Sequence, residues 1–433
     1  MTPAEPLPRR VALCDANNFF VSCERIFRPD LAGRPVVVLS SNDGCVVSRS
    51  DEAKALGIPM GVPFFEIRGL CVHHGVTAFS SNFELYRDIS RRMMAVLETC
   101  TDRLEVYSVD EAFLSLEIAA LEDPEARMRE VRRRVLREIH IPVSVGLAPT
   151  KTLAKAAAGF AKRHPEAEGV FDLATLSPVE RDRFLEDLEV EEIWGVGRRL
   201  APRLRRRGIR SARRLRDMPD HWVLQHLTVR GLNLVWELRG IPCLPLETRE
   251  TPQKSIQVSR SFGRDTCRKE DLGEALASFA ATAGEQLRAQ GLRAGLVQVT
   301  ASSSRHRGTY LSRSAEIPLP RPTAYTPDLI AATREGLERI HVPGVPYAKA
   351  EILLLRLTPE GAVQRDLFAQ EDALPDSRKQ RLMAAVDRIN EELGGGALVP
   401  AMLRNPHRPW APRKAQRSSA ATTRLEDLPR IQP

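Results

Sequence analysis

Short apolar runs, several of them ending in acidic residues, alternate with longer amphipathic stretches in the N-terminal part of the chain. Apolar runs of about four to eight residues between turn residues are typical of buried strands, whereas apolar positions three or four apart are typical of helices. The predicted strands are 11–14, 34–40, 104–109, 111–116 and 141–147. The predicted helices are 17–27, 51–56, 82–100, 124–139 and 150–163, and the Gly- and Pro-rich residues 57–75 are predicted to be mostly loop.

The order of these elements predicts a fold class. With residues 28–75 set aside as an insertion, the order is β-α-β-β-α-β, which is typical of the ferredoxin-like (split βαβ) arrangement, an antiparallel sheet with helices on one face. In that arrangement the first strand lies beside the third. We therefore predict an α+β, multidomain protein with a ferredoxin-like region at its N-terminal end.

The remainder of the chain changes character twice. From about residue 173 the predicted helices are short and basic. A separate small α+β module is predicted from helices at 269–290 and 327–340 and strands at 295–302 and 347–357. After about residue 359 the chain is rich in Pro, Arg and Ser, and only 376–393 is predicted to be helical. The tail from residue 404 is predicted to be flexible.

Charge points to a polyanionic partner. The chain has 433 residues, which is more than a single core of about 250–300 residues accommodates, and a net charge of +8. The segment 198–216 contains ten arginines and no acidic residue. The preceding Ile193–Gly197 has the form of a helix-hairpin-helix, in which backbone N–H groups hold a DNA phosphate. Nucleic acid is the predicted partner, and a solvated arginine-covered helix is the alternative.

Cysteine usage and hydropathy predict the compartment. The seven cysteines are scattered and contain no C-x-x-C pair, which argues against a zinc site or a disulfide framework and favours a reducing environment. No apolar stretch approaches the roughly 20 residues of a membrane-spanning helix, and the N-terminus lacks a signal-peptide pattern. A cytoplasmic protein is expected.

Three carboxylates form the candidate catalytic group. Asp15 ends the apolar run 11–14, and the pair Asp110-Glu111 interrupts the strand pattern at 104–116. Acids at strand ends are often only solvated caps, but the predicted topology brings these together. Carboxylate oxygens suit Mg²⁺, and two such ions can clamp the attacking and leaving oxygens of a phosphoryl displacement. The chemistry predicted is nucleotidyl transfer.

These motifs, in this order, resemble those of the Y-family DNA polymerases. The resemblance runs nearly end to end, through LCDANNFFVSCERIFRPDLAGRPVVVLSSNDGCVVSR, FSSNFELY, SVDEAF, TKTLAK, WGVGRR and SRSFG. The chain is most similar to the UmuC-type branch, the catalytic subunits of DNA polymerase V. The resemblance implies an error-prone translesion polymerase of the SOS response to DNA damage. It also implies a palm (10–24 and 76–172), fingers (25–75), a thumb (173–243), a little finger (249–358) and a C-terminal extension (359–433).

The resemblance also assigns roles to particular residues. Asp15 and Asp110 match carboxylates that bridge two Mg²⁺ ions, Glu111 matches a ligand of the catalytic ion, and the Ala16 carbonyl matches a main-chain ligand. Phe20 falls at the steric-gate position, where a ring excludes the 2′-hydroxyl of ribonucleotides. Without the resemblance we would assign Phe20 to an ordinary helix core. The other residues expected at the nucleotide are Phe19, Ser48, Lys54 and Lys162.

Two positions depart from the family pattern. Many members carry a second acid where this chain has Asn17, as in the UmuC branch. Asp51 stands where several relatives have an aromatic hydroxyl that contacts the triphosphate. Because an acid beside a polyanion is unfavourable, we predict that Asp51 turns away, toward an arginine such as Arg49.

The resemblance implies macromolecular partners as well. Primer-template DNA is expected to contact Gly195, Gly197, Arg198, Arg199, Arg205 and Arg260. The segment 364–368, QRDLF, resembles peptides that dock on the sliding β clamp, with Gln364, Leu367 and Phe368 as contacts and Arg365 in place of the usual Leu. A UmuD-like subunit and RecA are further expected partners.

Two other functions fit part of the pattern. Nucleotide cyclases share the palm topology and its paired acids, but they do not need a helix-hairpin-helix with an arginine run. A DNA-binding or clamp-recruited scaffold without catalytic activity would tolerate loss of the acids. The presence of all three carboxylates together with Lys54 and Lys162 argues against a scaffold.

Overall fold

The computed structural model describes residues 10–116, 123–247, 253–362, 376–393, 396–403, 408, 410–411, 413–419, 421–422 and 427, without the side chains of Ala362, Asp376 and Met402. The chain divides into two compact units. The first comprises Met1–Ser40, Gly44–Glu250 and Gln416–Pro433, and the second comprises Ser41–Asp43 and Thr251–Ala415. The finer division into palm, fingers, thumb and little finger stays a prediction.

The first unit contains two sheets and the helices around them. Its strands are β1 (Arg10–Ala16), β2 (Val36–Leu39), β3 (Val46–Arg49), β4 (Thr77–Ser80), β5 (Leu104–Val106), β6 (Glu111–Leu116), β7 (Val143–Ala148) and β8 (Val170–Asp172). Its helices are α1 (Phe19–Phe27), α2 (Asp51–Ala55), α3 (Phe64–His73), α4 (Phe83–Glu98), α5 (Pro124–Ile139), α6 (Lys151–Arg163), α7 (Pro178–Asp187), α8 (Ala201–Arg206), α9 (Ala212–Arg216) and α10 (Asp220–Leu238).

The larger sheet has the strand order β5-β6-β1-β7-β8. The first strand lies between the third and the fourth strand of the predicted β-α-β-β-α-β order, so the ferredoxin-like prediction is confirmed. The short strand β8, which pairs in parallel with β7, was not predicted.

The helices within the ferredoxin-like order, α4 and α5, pack on one face of this sheet as predicted, and α6, which follows that order, covers the other face. Along β1 the side chains alternate, so that Cys14 packs in the core that contains residues of α4 and α5, whereas Leu13 packs with residues of α6. By the same alternation Asp15 lies on the Leu13 face. The face covered by α6 is therefore the one that carries the acid.

The smaller sheet, with the order β3-β2-β4, has its own core. Residues 57–75 were predicted to be mostly loop, and this is wrong, because α3 occupies ten of them. Phe64, Ile67 and Cys71 are buried at a helical spacing. The Gly and Pro residues that suggested a loop lie mainly before this helix.

The second unit contains one antiparallel sheet with the order β11-β10-β12-β9. Its strands are β9 (Ile256–Thr266), β10 (Leu292–Ser303), β11 (Ser312–Thr323) and β12 (Tyr347–Pro359), and its helices are α11 (Lys269–Ala289), α12 (Thr326–Ile340) and α13 (Asp376–Leu393). The predicted helices and two of the strands are confirmed, whereas β9 and β11 were not predicted. These two strands are mostly polar and half exposed, so they lack a strong apolar signal.

Part of the C-terminal tail is bound to the first unit. The prediction of a flexible tail from residue 404 is wrong for Gln416 and its neighbours, because the backbone of Gln416 hydrogen-bonds with Ser80 at the end of β4. All seven cysteines are free thiols. In the part of the chain that the structure describes, no helix is both long and apolar enough to cross a lipid bilayer.

Helix α6 rests directly on β7 because Gly146 lacks a side chain. A methyl group at Gly146 would lie 2.0 Å from the backbone nitrogen of Ala158 and 2.3 Å from the carbonyl oxygen of Ala154. Backbone atoms cannot turn aside as a flexible side chain can. The position of α6, and of every residue it carries toward the acids, therefore depends on this glycine.

We predict that Gly146→Ala lowers the stability of the protein by more than about 2 kcal/mol, because overpacking against a backbone forces the helix off the sheet. The matched control is Gly159→Ala on α6, where a methyl group meets nothing within 4 Å. This change is expected to raise stability by about 0.5–1 kcal/mol. Apparent melting temperatures of the two variants and the parent measure the effect, and an unchanged value for Gly146→Ala would contradict it.

Candidate active site

The pairing of β1 with β6 brings the three predicted acids to one place. Asp15 lies directly opposite Glu111 in the antiparallel register, and the Ala16 N–H donates to the Asp110 carbonyl over 2.8 Å. Directly opposite residues in such a pair point to the same face of the sheet. Acids nearly one hundred positions apart in sequence thus converge, as the sequence predicted.

Ser108 holds the turn that presents Asp110 and Glu111. Its hydroxyl donates to Asp110 Oδ1 over 2.6 Å and accepts from the backbone N–H groups of Asp110 and Glu111 over 3.3 and 3.1 Å. Neighbouring side chains on a regular strand would face opposite ways, but this turn places Asp110 just outside the strand. No role was predicted for Ser108, although serine is a common turn residue.

Two lysines of α6 form ion pairs with the acids on the face of the sheet that α6 covers. Lys162 Nζ lies 2.8 Å from Asp15 Oδ1, and Lys155 Nζ lies 2.9 Å from Glu111 Oε1. Because the lysines are seven positions apart, or about two turns of helix, they extend from the same side of α6. Burial raises the pKa of Glu111, with further contributions from the charges of Asp15 and Asp110, while Lys155 acts in the opposite direction. The lysines thus compensate carboxylates that would otherwise repel one another.

Lys155 was not predicted, and aromatic rings fix its position. Its ammonium group lies 4.7 Å from the centroid of the Tyr107 ring and 5.8 Å from that of Trp194. The Trp194 indole N–H donates to the Tyr107 hydroxyl over 3.0 Å. The spacing of Lys155 and Lys162 was visible in the sequence, but only the fold shows that both extend toward the acids.

The donor set fits a divalent metal ion. Within the described residues, no three Asp, Glu, His or Cys side chains are already arranged to hold a metal ion. Asp15 and Glu111 each direct an oxygen to a lysine ammonium group. The available donors are hard carboxylate oxygens, which suit Mg²⁺, and lysine stems are flexible enough to withdraw.

Beside the acids lies a cavity of about 220 Å³. Its lining includes the predicted metal ligands Ala16 and Asp110. It also includes every residue predicted to contact the nucleotide, namely Phe19, Phe20, Ser48, Lys54 and Lys162. The Phe20 ring stacks on Tyr86, with centroids 4.6 Å apart. One space therefore joins Asp110, the cations Arg49, Lys54 and Lys162, and the side chains of Phe19 and Phe20.

Asp51 pairs with Lys54 and not with Arg49, so the predicted arginine partner is wrong. Lys54 Nζ lies 2.8 Å from Asp51 Oδ1 and 2.6 Å from Asn18 Oδ1, and the Asn18 amide donates to Asp51 over 3.2 Å. Burial acts to raise the pKa of Asp51, but the hydrogen bonds from Lys54 and Asn18 outweigh it and hold the pKa below its usual range. Arg49 instead donates to the carbonyl of Ile58.

The predicted hairpin is a tight turn at the start of α8. Gly195 has a φ of 96°, a backbone conformation that favours glycine, and the N–H of Ala201 donates to the carbonyl of Gly197 over 3.0 Å. Arg198 and Arg199 are exposed, and no acid of the described chain forms an ion pair with either. Arg205, by contrast, forms ion pairs with Glu189 and Glu191 within the same region.

The remaining residues predicted to contact DNA or the clamp belong to other parts of the chain. Arg260 is exposed on β9 in the second unit. The clamp-binding residues Gln364, Leu367 and Phe368 lie outside the described residues.

Comparison with known families and structures shows which proteins this chain is similar to. The chain matches the impB/mucB/samB family over residues 14–159, the C-terminal domain of that family over residues 253–367 and the IMS family HHH motif over residues 178–209. Residues 380–431 match a domain of unknown function.

Curated relatives cover nearly the whole chain. The protein UmuC of Salmonella typhimurium is 39% identical over 424 residues, which span 97% of this chain and 99% of that relative. MucB of Escherichia coli is 36% identical over 88% of this chain and 90% of its own length. DNA polymerase IV of Moorella thermoacetica is 30% identical over 89% of this chain and 93% of its own length.

Solved structures share the fold. A Y-family DNA polymerase chimera of Dbh and Dpo4 has a TM-score of 0.66 at 22% identity, over 81% of this chain and 99% of that one. An insertion ternary complex of Dbh DNA polymerase has a TM-score of 0.54 at 21% identity, over the same shares of the two chains.

The fold and the relatives together define a Y-family DNA polymerase, a class that generally depends on divalent metal ions. Within this class, the chain belongs to the impB/mucB/samB family and is of the UmuC type. It is an error-prone translesion DNA polymerase of the SOS response. The cyclase and scaffold alternatives are not supported.

We predict that Ser108→Ala lowers the rate of nucleotide incorporation by about tenfold to a hundredfold, because the acids lose the hydroxyl that sets their turn. The change also leaves two backbone N–H groups without this acceptor, which costs about 1–3 kcal/mol. Single-turnover primer extension measures the rate, and Ser115→Ala on β6 is the matched control. An undiminished rate in Ser108→Ala would show that the turn holds its shape without Ser108.

Proposed function

We propose that this polymerase joins a deoxynucleotide to the primer 3′-hydroxyl in the cavity beside Asp110. The observation that carries the proposal is that the cavity lining unites Asp110 and Ala16 with Lys54, Lys162 and the Phe20 ring. These groups match the parts of a deoxynucleoside triphosphate. The cations suit its phosphates, and the ring suits its sugar.

Asp15, Asp110, Glu111 and the Ala16 carbonyl would hold two Mg²⁺ ions. When bound, such ions lower the pKa of the attacking hydroxyl and neutralise charge on the leaving pyrophosphate. The chain contributes the anchoring acids on two paired strands, whose positions are set by the register of β1 with β6. Ser108 keeps Asp110 and Glu111 in place through its hydrogen bonds.

Lys54 and Lys162 would hold the triphosphate. Each lysine now pairs with a carboxylate, Lys54 with Asp51 and Lys162 with Asp15. A triphosphate is a stronger anion than one carboxylate, and a lysine can move its ammonium group on a flexible stem. Binding would therefore transfer both lysines from protein acids to phosphate oxygens. Ser48, which is buried at the cavity wall, would donate a hydrogen bond to the same group.

Phe20 would act as the sugar gate, with Phe19 beside it. The ring of Phe20 lines the cavity and is supported from behind by stacking on Tyr86. A ring fixed in this way can exclude a 2′-hydroxyl by contact alone.

DNA would be held by the hairpin and by the second unit. Arg198 and Arg199 are exposed beside the Gly195 turn, so we assign the phosphate contacts to them and not to Arg205, whose guanidinium is already paired with two glutamates. Arg260 on β9 would add a further contact. In this proposal the five-stranded sheet belongs to the palm, β2, β3 and α3 to the fingers, the hairpin region to the thumb and β9 to β12 to the little finger.

Protein partners follow from the UmuC relationship. We infer that a UmuD-like subunit, RecA and the sliding β clamp act with this chain, the clamp through QRDLF at 364–368. The ions, lysines and gate assigned above do not depend on these partners.

We predict that Asp110→Ala abolishes incorporation, because the remaining acids cannot hold both ions, while primer-template affinity is largely kept. Asp102→Ala, an exposed acid before β5, is the matched control and should incorporate normally. Primer extension and fluorescence anisotropy on the same DNA separate the two effects. Retained incorporation in Asp110→Ala would refute the assignment.

We also predict that replacing Arg198 and Arg199 together by Ala reduces the slope of log affinity against log salt by about two, because each arginine that binds a phosphate adds about one to that slope. Arg205→Ala is the matched control and is expected to leave the slope unchanged. Anisotropy titrations at several salt concentrations measure it. Equal slopes for the parent and the double variant would contradict the assignment.

A further inference from the structure

A short C-terminal segment, Gln416–Ser419, is bound along the edge of the three-stranded sheet. The Ser80 N–H donates to the Gln416 carbonyl over 3.0 Å, and the Gln416 N–H donates to the Ser80 hydroxyl over 2.9 Å. Ser80 and Arg417 form a parallel β-bridge. Since β4 is the edge strand of this sheet, the segment supplies partners to backbone groups that the edge would leave open.

The segment continues onto the start of α4. Asn82, which is fully buried and caps this helix, donates to the Ser418 hydroxyl over 3.0 Å and to the Ser419 carbonyl over 3.1 Å. Arg417 forms an ion pair with Glu84 over 2.6 Å. Asn82, the N-cap of α4, is thus held by both the helix and the tail.

A series of contacts connects Ser418 with the proposed sugar gate. Asn82, which donates to Ser418, accepts through its backbone carbonyl from the N–H of Tyr86 over 3.1 Å. The Tyr86 hydroxyl donates over 2.6 Å to the carboxylate of Glu24, which is only 1% exposed. Burial raises the pKa of Glu24, and the hydrogen bonds from Tyr86 and Ser418 act in the opposite direction. Tyr86 in turn stacks on Phe20 with an interplanar angle of 17°.

These contacts form one continuous chain from the tail to the nucleotide cavity. Tyr86 has little freedom, because its ring is buried against Phe20 and its hydroxyl is tied to Glu24. A buried carboxylate needs every available donor, so loss of the Ser418 hydroxyl would favour rearrangement of the Glu24–Tyr86 pair. Rearrangement of Tyr86 would remove the support behind the Phe20 ring.

We propose that Ser418 is a positioning residue for sugar selection, which it serves by bracing Glu24 and Tyr86 behind Phe20. The proposal rests on the proposed function of Phe20 as the sugar gate. It assigns to the C-terminal region a part in choosing deoxyribonucleotides over ribonucleotides, although the segment does not line the cavity.

The test compares Ser418→Asp with Ser419→Asp in the full-length chain. Ser418→Asp places a second acid beside Glu24, whereas Ser419 is exposed and is held through its carbonyl, so Ser419→Asp adds the same charge without that effect. For each variant, kcat/KM is measured for a deoxynucleotide and for the matching ribonucleotide. Amide hydrogen exchange at Ser80 and Gln416 reports whether the segment has been released. Ser418→Thr, which keeps the hydroxyl, serves as the rescue variant.

We expect Ser418→Asp to speed exchange at both amides and to reduce discrimination against ribonucleotides by about threefold to tenfold, mainly through a better kcat/KM for the ribonucleotide. Ser419→Asp and Ser418→Thr should match the parent in both readouts. Faster exchange with unchanged discrimination would overturn the proposal, and so would unchanged exchange, because Ser418 would then not hold the segment.

Phe20→Ala separates this proposal from the one on which it rests. A large loss of discrimination in Phe20→Ala confirms the gate, so that a failure of Ser418→Asp then counts against the positioning role alone. If Phe20→Ala discriminates as the parent does, the gate assignment itself is overturned, and the positioning role with it.

Discussion

The antiparallel register between β1 and β6 is the constraint on which the site depends. It sets Asp15 opposite Glu111 and ties Ala16 to Asp110, so that acids from two distant segments share one face. Like charges this close need compensation, and α6 provides it with two lysines on one side of the helix. Gly146 allows that helix to lie on the sheet backbone. A change in the strand pairing or in the packing of α6 would therefore also change the charge balance of the acids.

Much of the fold could be predicted from the sequence, and the exceptions have physical reasons. The ferredoxin-like order followed from apolar runs in β1, β6 and β7, since strands buried on both faces carry a strong signal. The edge strands β9 and β11 are polar and half exposed, and they carry no such signal. Helix α3 was missed because nearby Gly and Pro residues outweighed the spacing of its buried side chains.

The candidate site, like the fold, could be predicted from the sequence only in part. The acids and the lining of the cavity were accessible from motifs, because those residues recur together in a known order. The hydrogen-bond partners of these residues were not accessible from motifs, because bonds such as that between Ser108 and Asp110 depend on the turn geometry. For Asp51, repulsion from phosphate suggested the wrong partner. The carboxylate instead pairs with Lys54, which lies three positions later on α2.

The lysines of α6 have a consequence for how the enzyme responds to its surroundings. Ion pairs that are in direct contact and partly buried are screened by dissolved salt much less than exposed charges are. The ion pairs of Asp15 with Lys162 and of Glu111 with Lys155 are therefore expected to persist at ionic strengths that weaken the binding of a phosphate backbone to exposed cations. Added salt would thus lower the affinity of this enzyme for its template while the charges of its acids stay compensated.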